Sequence, residues 1–246
     1  QGTTAHTKGS WVSATSGVDY DIHALSYFHY TQTYTADFLA DIGIGSTPDI
    51  IVNNLLSTGT TGEIRSGDEI VIPVFIPKNT EIQLRQQNDY SGTNGQSTIL
   101  CAHGSAAWNR ESYQRVYTYG ANTGDSGGQL VDPGGTANTY GSWVQLISAA
   151  PQNIKAFMMT IGMRGDHLLT TNTHWHFQIA VGASTFEQII VDEWNTGGEN
   201  ENDALYPKVI QIFTLKIQRG ERLATRCKCT VTSTDRYNDG DKYAYA

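Results

Sequence analysis

Thr4-Ala5-His6-Thr7-Lys8-Gly9-Ser10-Trp11-Val12 returns further along the chain as Thr136-Ala137-Asn138-Thr139-Tyr140-Gly141-Ser142-Trp143-Val144. Seven of the nine positions are identical, at an offset of 132. The same offset pairs Ile22 with Ile154 and Ala24 with Ala156. Ile42-Gly43-Ile44-Gly45 then faces Ile179-Ala180-Val181-Gly182 at 137, and Ile50-Ile51-Val52 faces Ile189-Ile190-Val191 at 139. Ile76, Ile82 and Arg85 face Ile217, Leu223 and Arg226 at 141. The offset only grows, as expected of a duplicated unit whose second copy takes up small loop insertions. A period of about 130 residues is far too long for a solenoid, so each copy is expected to be a domain. The expected domains are 1-131 and 132-246. Their boundary is placed near Asp132, because Asp132-Pro133-Gly134-Gly135 continues neither a helix nor a central strand.

Composition agrees with strands. Charged residues are 16% of the 246, Gly numbers 25, and long Ala/Leu/Glu/Lys stretches are missing. That mix suits strands joined by tight turns. Within the copies, Ile70, Ile72, Val74 and Ile76 alternate with Val71, Pro73 and Phe75, so both faces are mostly apolar. After the turn Pro77-Lys78-Asn79-Thr80, a second strand through Ile82, Leu84 and Gln86 is expected to close a hairpin. Phe213 to Ile217, the turn Gln218 to Glu221, and Leu223 to Cys227 repeat it. Phe177, Ile179 and Val181 form another alternating strand, and Ile154 to Met163 a further apolar one. Ser46 to Leu56 has room for one short helix, but its Ile-Ile-Val centre favours strand. The expected fold class is all-β: two tandem β-sandwich, jelly-roll-like domains related by internal duplication.

The formal charge of −8 and the absence of a Lys/Arg run speak against nucleic acid as a partner. No apolar stretch approaches a membrane span, and the chain opens on Gln1 with neither an initiator Met nor a signal-peptide pattern. Three cysteines, Cys101, Cys227 and Cys229, are too few for a disulfide framework, and their odd number leaves one thiol free or available to another chain.

Gly124-Asp125-Ser126-Gly127-Gly128 matches the motif around the nucleophile of trypsin-like serine proteases. There Ser126 would attack a carbonyl, a His would take its proton, and backbone amides would hold the oxyanion. The context refuses that role. The motif falls at mid-chain, between the repeats, and His103 is too near to leave room for the intervening Asp and strands. Nothing around His6, His23 or His29 resembles the family's histidine segment. A flexible Gly-rich linker is expected instead, with no catalytic residue and no enzymatic activity.

His174-Trp175-His176 puts two imidazoles on one strand face, half of a metal site with no third ligand in view. Cys227-Lys228-Cys229 places two sulfurs on one face, where they cannot easily bond each other, and buried thiols are expected. Glu187, Asp192, Glu193, Glu199, Glu201 and Asp203 gather around a Gly/Asn-rich loop that reads as solvated rather than calcium-binding. No metal and no cofactor is therefore expected. Tyr20, Tyr27, Phe28, Tyr30 and Tyr34, with Tyr113, Tyr117 and Tyr119, lie outside the core pattern and suit protein interfaces or sugar binding.

The segments Thr136 to Val144, Asp41-Ile42-Gly43-Ile44-Gly45 and Ile72-Pro73-Val74-Phe75-Ile76-Pro77 resemble a repeat of virion structural proteins of tailed bacteriophages. The resemblance spans most of both copies, but Gly43 becomes Ala180 in the second, which also loses Pro73 and Pro77. It implies a β-sandwich module on the capsid exterior, neck or tail of an extracellular particle, without site residues to carry over. Other virion proteins and copies of the chain itself are the partners expected. The strands at Ile70 to Ile76 and Val209 to Ile217, apolar on both faces, are expected to need covering by the sister domain or by such a partner. A carbohydrate-binding module of a receptor-binding or cell-surface protein is the rival reading.

Overall fold

The computed structural model describes residues 2–31, 36–59, 69–89, 96–107, 111–133, 135–163, 173–198, 208–230 and 242–245. Among them there is no helix, and every sheet is antiparallel. Ser46 to Leu56 contributes to a strand, as its β-branched centre requires. The chain divides into two compact units, Gln1–Gly127 and Gly128–Ala246.

In the first unit, β1 (Val12–Thr15), β3 (Ala36–Ile44), β4 (Asp49–Gly59) and β6 (Ile82–Asn88) make a sheet of order β1-β6-β3-β4. A second sheet has the order β5-β2-β7, from β2 (Ile22–Thr31), β5 (Ile70–Ile72) and β7 (Gln96–Gly104). In the second unit, β9 (Val144–Ile147), β11 (Thr173–Val181), β12 (Gln188–Gly198) and β14 (Leu223–Cys229) have the order β9-β14-β11-β12. Its other sheet is β13-β10-β15-β8, from β8 (Gln129–Leu130), β10 (Ile154–Met163), β13 (Lys208–Ile217) and β15 (Lys242–Tyr245).

The registers correspond strand for strand. Val12 opposes Leu84 and Thr15 opposes Ile82; Val144 opposes Thr225 and Ile147 opposes Leu223. Phe38 lies opposite Asn88 and Ile44 opposite Ile82, while Trp175 lies opposite Cys229 and Val181 opposite Leu223. The β3–β4 ladder slips between Ala40 and Ile42 and again before Gly43. The β11–β12 ladder slips at the same positions, between Phe177 and Ile179 and before Ala180. Such bulges bend and twist a strand locally. Left-handed backbone recurs as well: φ is 49° at Asn54 and 48° at Glu193, 59° at His6 and 60° at Asn138.

The expected hairpins do not form. β5 pairs with β2 and β6 pairs with β1 and β3, so the turn at Pro77 to Thr80 joins strands of different sheets. Pro73 and Pro77 lack the amide hydrogen a ladder needs. Yet β13 and β14 also lie in different sheets without prolines there, so the prolines alone do not explain the corner. Alternation specifies a buried face; it does not specify which strand lies alongside.

Tyr27, Leu25, Phe38, Ile42, Ile72 and Ile76 are fully buried in the first unit, and Trp175, Phe177, Ile179 and Leu223 in the second. Tyr27 is thus core, not an exposed aromatic. Its hydroxyl, on β2, accepts from Gln86 Nε2 on β6 at 2.8 Å and lies 3.4 Å from Ser57 Oγ on β4, so side chains of the two sheets meet. The second face of Ile70 to Ile76 is covered within its own unit. Val74 bridges Tyr113 in parallel, and backbone bonds of 2.8 Å run from Phe75 N to Tyr113 O and from Tyr113 N to Pro73 O. Neither sister domain nor partner is needed there; only Phe75, 37% exposed, remains open. The side chains of Val209 to Lys216, Tyr30 and Tyr34 lie outside the described residues.

Candidate functional site

Gly124 to Gly128 is not a flexible linker. Asn122 and Asp125 knit a turn: Asn122 Nδ2 donates to Asp125 Oδ2 at 2.8 Å, and the Gly127 amide donates to Asp125 Oδ1 at 2.9 Å. The turn holds Ser126 at φ 62° and seals it completely from solvent. Ser126 Oγ lies 3.1 Å from His6 Nδ1 and accepts from Gln87 Nε2 at 3.0 Å. Gln87 Nε2 also donates to the Thr123 carbonyl at 2.9 Å. A serine beside an imidazole is a nucleophile's arrangement only if a substrate carbonyl can reach the oxygen and a third group orients the ring. Here the oxygen has no exposed surface and already accepts a hydrogen bond. No carboxylate bonds His6 among the described residues. The chemistry of this set is to fasten residues 122–127 to β6 and to the start of the chain.

The other sequence candidates stay apart. His174 is exposed and His176 half-buried on the outward face of β11, where Lys228 opposes His176 on β14. Among the described residues no group of three or more His, Cys, Asp or Glu is gathered as a metal would need. Cys227 and Cys229 are buried and in no disulfide, Cys227 Sγ donating to the Val131 carbonyl at 3.3 Å, and Cys101 is exposed. Three of the clustered carboxylates have partners: Glu187 pairs with Arg222 at 3.0 Å, Glu193 with Lys228, and Asp192 accepts from Gln178 at 2.6 Å. Glu199, Glu201 and Asp203 lie outside the described residues.

Sequence reasoning missed the most elaborate polar cluster, although it had already paired Trp11 with Trp143 and Arg85 with Arg226. Arg85 Cζ sits 4.6 Å from the centre of the Trp11 ring, and Arg226 Cζ sits 4.3 Å from that of Trp143. In the first unit Arg85 Nε donates to Asp41 Oδ2 at 2.8 Å, and Lys8 Nζ donates to Asp41 Oδ1 at 2.9 Å. The amide of Asn54, at its left-handed position, donates to Asp41 Oδ1 at 2.8 Å. Burial pushes the Asp41 carboxyl up, but the Asn54 amide, Lys8 and Arg85 together outweigh it and hold it below the usual range. The second unit keeps the plan with neutral parts. Gln178 stands where Asp41 does and accepts from Arg226 Nε at 2.7 Å; Tyr140 stands where Lys8 does, its ring centre 4.7 Å from Arg226 Cζ.

A second buried polar group was equally invisible. His29, 5% exposed, meets Phe38 with ring centres 4.1 Å apart and planes tilted by 43°. Its Nδ1 lies 3.2 Å from Tyr27 Oη, 3.3 Å from Gln86 Nε2 and 3.4 Å from Thr98 Oγ1; its Nε2 has no partner among the described residues. Burial lowers its pKa to about 4.

The surface carries apolar and aromatic groups. Tyr117, 41% exposed, lies beside Tyr119 with ring planes 11° apart and centres 6.5 Å apart. In the second unit Phe186 is 77% exposed in the turn between β11 and β12, and Ile189 is 44% exposed. That turn is the site of one of the insertions, the offset rising from 137 at Val181 to 139 at Gln188.

No family model matches the chain, and no curated protein matches it. Among solved structures it is similar to a chain in a structure described as that of infectious bursal disease virus Gx strain, at 14% identity and a TM-score of 0.22. The match covers 94% of this chain and 56% of the other, so the chain spans a little over half of that neighbour's length. At that TM-score the match assigns no fold.

Proposed function

We propose that this chain is a non-enzymatic structural component of a virion, of the tailed-phage kind, acting through protein–protein contacts. On this reading each unit is a jelly-roll-like β-sandwich, and the two descend from one duplicated ancestor. The observation that carries it is the repetition of the frame: the same registers, bulges and Arg-over-Trp clamp built twice, with different loops mounted on them. A frame kept constant while its loops and outward residues change is what an assembly module with two different neighbours needs. The polar groups that resemble catalytic parts, Ser126 and His6 above all, go into holding that frame together. The phage assignment rests on the sequence resemblance. The test is mass spectrometry of purified, salt-washed particles from a phage encoding the chain. The chain is expected at a fixed copy number, and its absence from the particle would end the reading.

One observation favours a second reading, a carbohydrate-binding module. Tyr117 and Tyr119 offer two neighbouring rings in nearly parallel planes, aromatic faces of the kind on which sugars stack. Glycan-array binding that Tyr117→Ala abolishes would put this reading first.

A further inference from the structure

The two units differ at one sheet edge. In the second unit β15 is flanked on one side by β10 and on the other by β8, with Tyr243 opposite Leu130 and Ala244 opposite Gln129. In the first unit β7 occupies the place of β15: Ile99 lies opposite Phe28 on β2 where Tyr245 lies opposite Thr160 on β10. Among the described residues no strand lies along the other side of β7.

That edge is built unlike a protected one. Proteins blunt exposed edges with Lys, Pro, inward charges or bulges. Gln96-Ser97-Thr98-Ile99-Leu100-Cys101-Ala102-His103-Gly104 contains no Lys, Arg, Asp, Glu or Pro. Its ladder with β2 is regular from Ala24 to Thr31. Ile99 is 49% exposed, and Ser97 and Cys101 beside it on the same face are exposed too. Thr98, on the other face, is tied inward to Gln86 at 2.8 Å. Tyr20 Oη donates to the Ala102 carbonyl at 3.2 Å, which leaves Gln96 to Cys101 as the stretch open among the described residues.

We propose that this edge pairs antiparallel with β7 of a second copy of the chain, about a two-fold axis at Ile99. Three observations select that occupant. The β8 strand shows that the equivalent edge takes an antiparallel neighbour. A strand without charges brings no like charge opposite itself when it meets its own copy. The period of two requires the axis to fall on a residue, so that inward side chains stay on one side of the joined sheet. An axis at Ile99 sets the exposed Ile99 against its own copy and Cys101 against Ser97 of the other copy. The contact is isologous and closes as a dimer. It deepens the assembly reading by naming a surface, and rests on that reading only for its place in a particle.

The experiment uses the full chain in solution. Wild type is expected to sediment at twice its 27.0 kDa mass as concentration rises through roughly 100 μM, a range suited to a small interface. Ile99→Lys, at an exposed side chain, is expected to weaken association roughly tenfold or more while the circular dichroism is unchanged. Ser97→Cys is expected to give a disulfide-linked dimer with native Cys101 on mild oxidation, and Ser97→Cys with Cys101→Ser is expected to give none. A wild-type monomer throughout that range, association unaffected by Ile99→Lys, or the absence of the Ser97→Cys link would each overturn the edge pairing. None of these results touches the particle experiment, whose failure would remove the virion role and leave a solution dimer standing.

Discussion

Arg85 lies over Trp11 with its guanidinium carbon 4.6 Å from the ring centre, while its Nε donates to Asp41 Oδ2 at 2.8 Å. One side chain thereby ties the segment before β1, strand β3 and strand β6. The second unit repeats the tie with Arg226, Trp143 and Gln178, so the position of the guanidinium is common to both and the charge of its acceptor is not.

Exchange of parts between the clamps follows from this. Asp41→Asn leaves Lys8, whose side chain is 17% exposed, without its anion, and is expected to destabilise the first unit by about 3 kcal/mol, the usual cost of breaking a largely buried pair. Lys8→Tyr with Asp41→Gln installs the residues of the second unit and is expected to recover at least half of that loss. Urea unfolding of the two variants against wild type measures it. A double variant less stable than Asp41→Asn would show that the two clamps are not interchangeable.

His29 makes the first unit acid-sensitive. Its pKa is lowered from 6.5 to about 4 in the folded chain, so between those values the unfolded chain binds the extra proton and stability rises with pH. The contribution is complete above about pH 6.5 and is lost as pH falls toward 4, for a total of about 3 kcal/mol. His29→Leu is expected to shrink the stability difference between pH 7.5 and pH 4 by that amount, whatever its own baseline. Ile161 holds the corresponding place in the second unit, which lacks this titration. Equal pH dependence in wild type and variant would remove His29 as its source.

Ser126→Ala removes the oxygen that Gln87 and His6 share and leaves both facing an apolar methyl. A loss of roughly 1–3 kcal/mol is expected from unsatisfied buried groups. A linker serine would change stability by no more than about 0.5 kcal/mol. Because Ser126 has no exposed surface, fluorophosphonate reagents are expected to leave it unlabelled in the folded chain. Labelling at Ser126 would require the clamp to open.

Gly43 and Ala180 occupy equivalent places, yet they are not interchangeable. A Cβ on Gly43 would lie 2.7 Å from Pro48 Cβ and 3.0 Å from the Trp11 ring. Gly43→Ala is expected to cost roughly 1–3 kcal/mol through overpacking. Ala180 is fully buried, and the turn after β11 is longer than the one after β3 that carries Pro48. Thermal melts of Gly43→Ala and Ala180→Gly together would test the asymmetry: both are expected to fall, Ala180→Gly by about 1–2 kcal/mol from the lost buried methyl and the freer glycine backbone, whereas Gly43→Ala melting at or above wild type would show the two places to be alike.

The growing offset pointed to a duplication because insertions leave the order of the repeated segments intact, and period-two apolar patterns located β6, β10, β11 and β14. Strand partners were not legible. Ile70 to Ile76 and Ile82 to Gln86 both alternate, and nothing local says that one pairs with β2 and the other with β1 and β3. The burial of Ser126 is hidden in the sequence for a related reason. A Gly-rich stretch reads as mobile until its partner is known, and His6 lies 120 residues away. Tyr27 reads as surface because its neighbours in sequence are aromatic and polar, whereas its hydroxyl is satisfied by Gln86, 59 residues on.

The tie between His6 and Ser126 joins the first few residues of the first unit to its last few. During synthesis the amino-terminal segment must therefore wait for nearly the whole unit to leave the ribosome before it can be locked down. The residues that complete the lock are followed at once by Gln129 and Leu130, which belong to the next unit's sheet. Translation thus delivers the closing piece of one body and the opening piece of the next in a single short stretch, and a stall just after Tyr119 has emerged would leave the first body with its Tyr113 and Val116 bridges formed but its latch unmade.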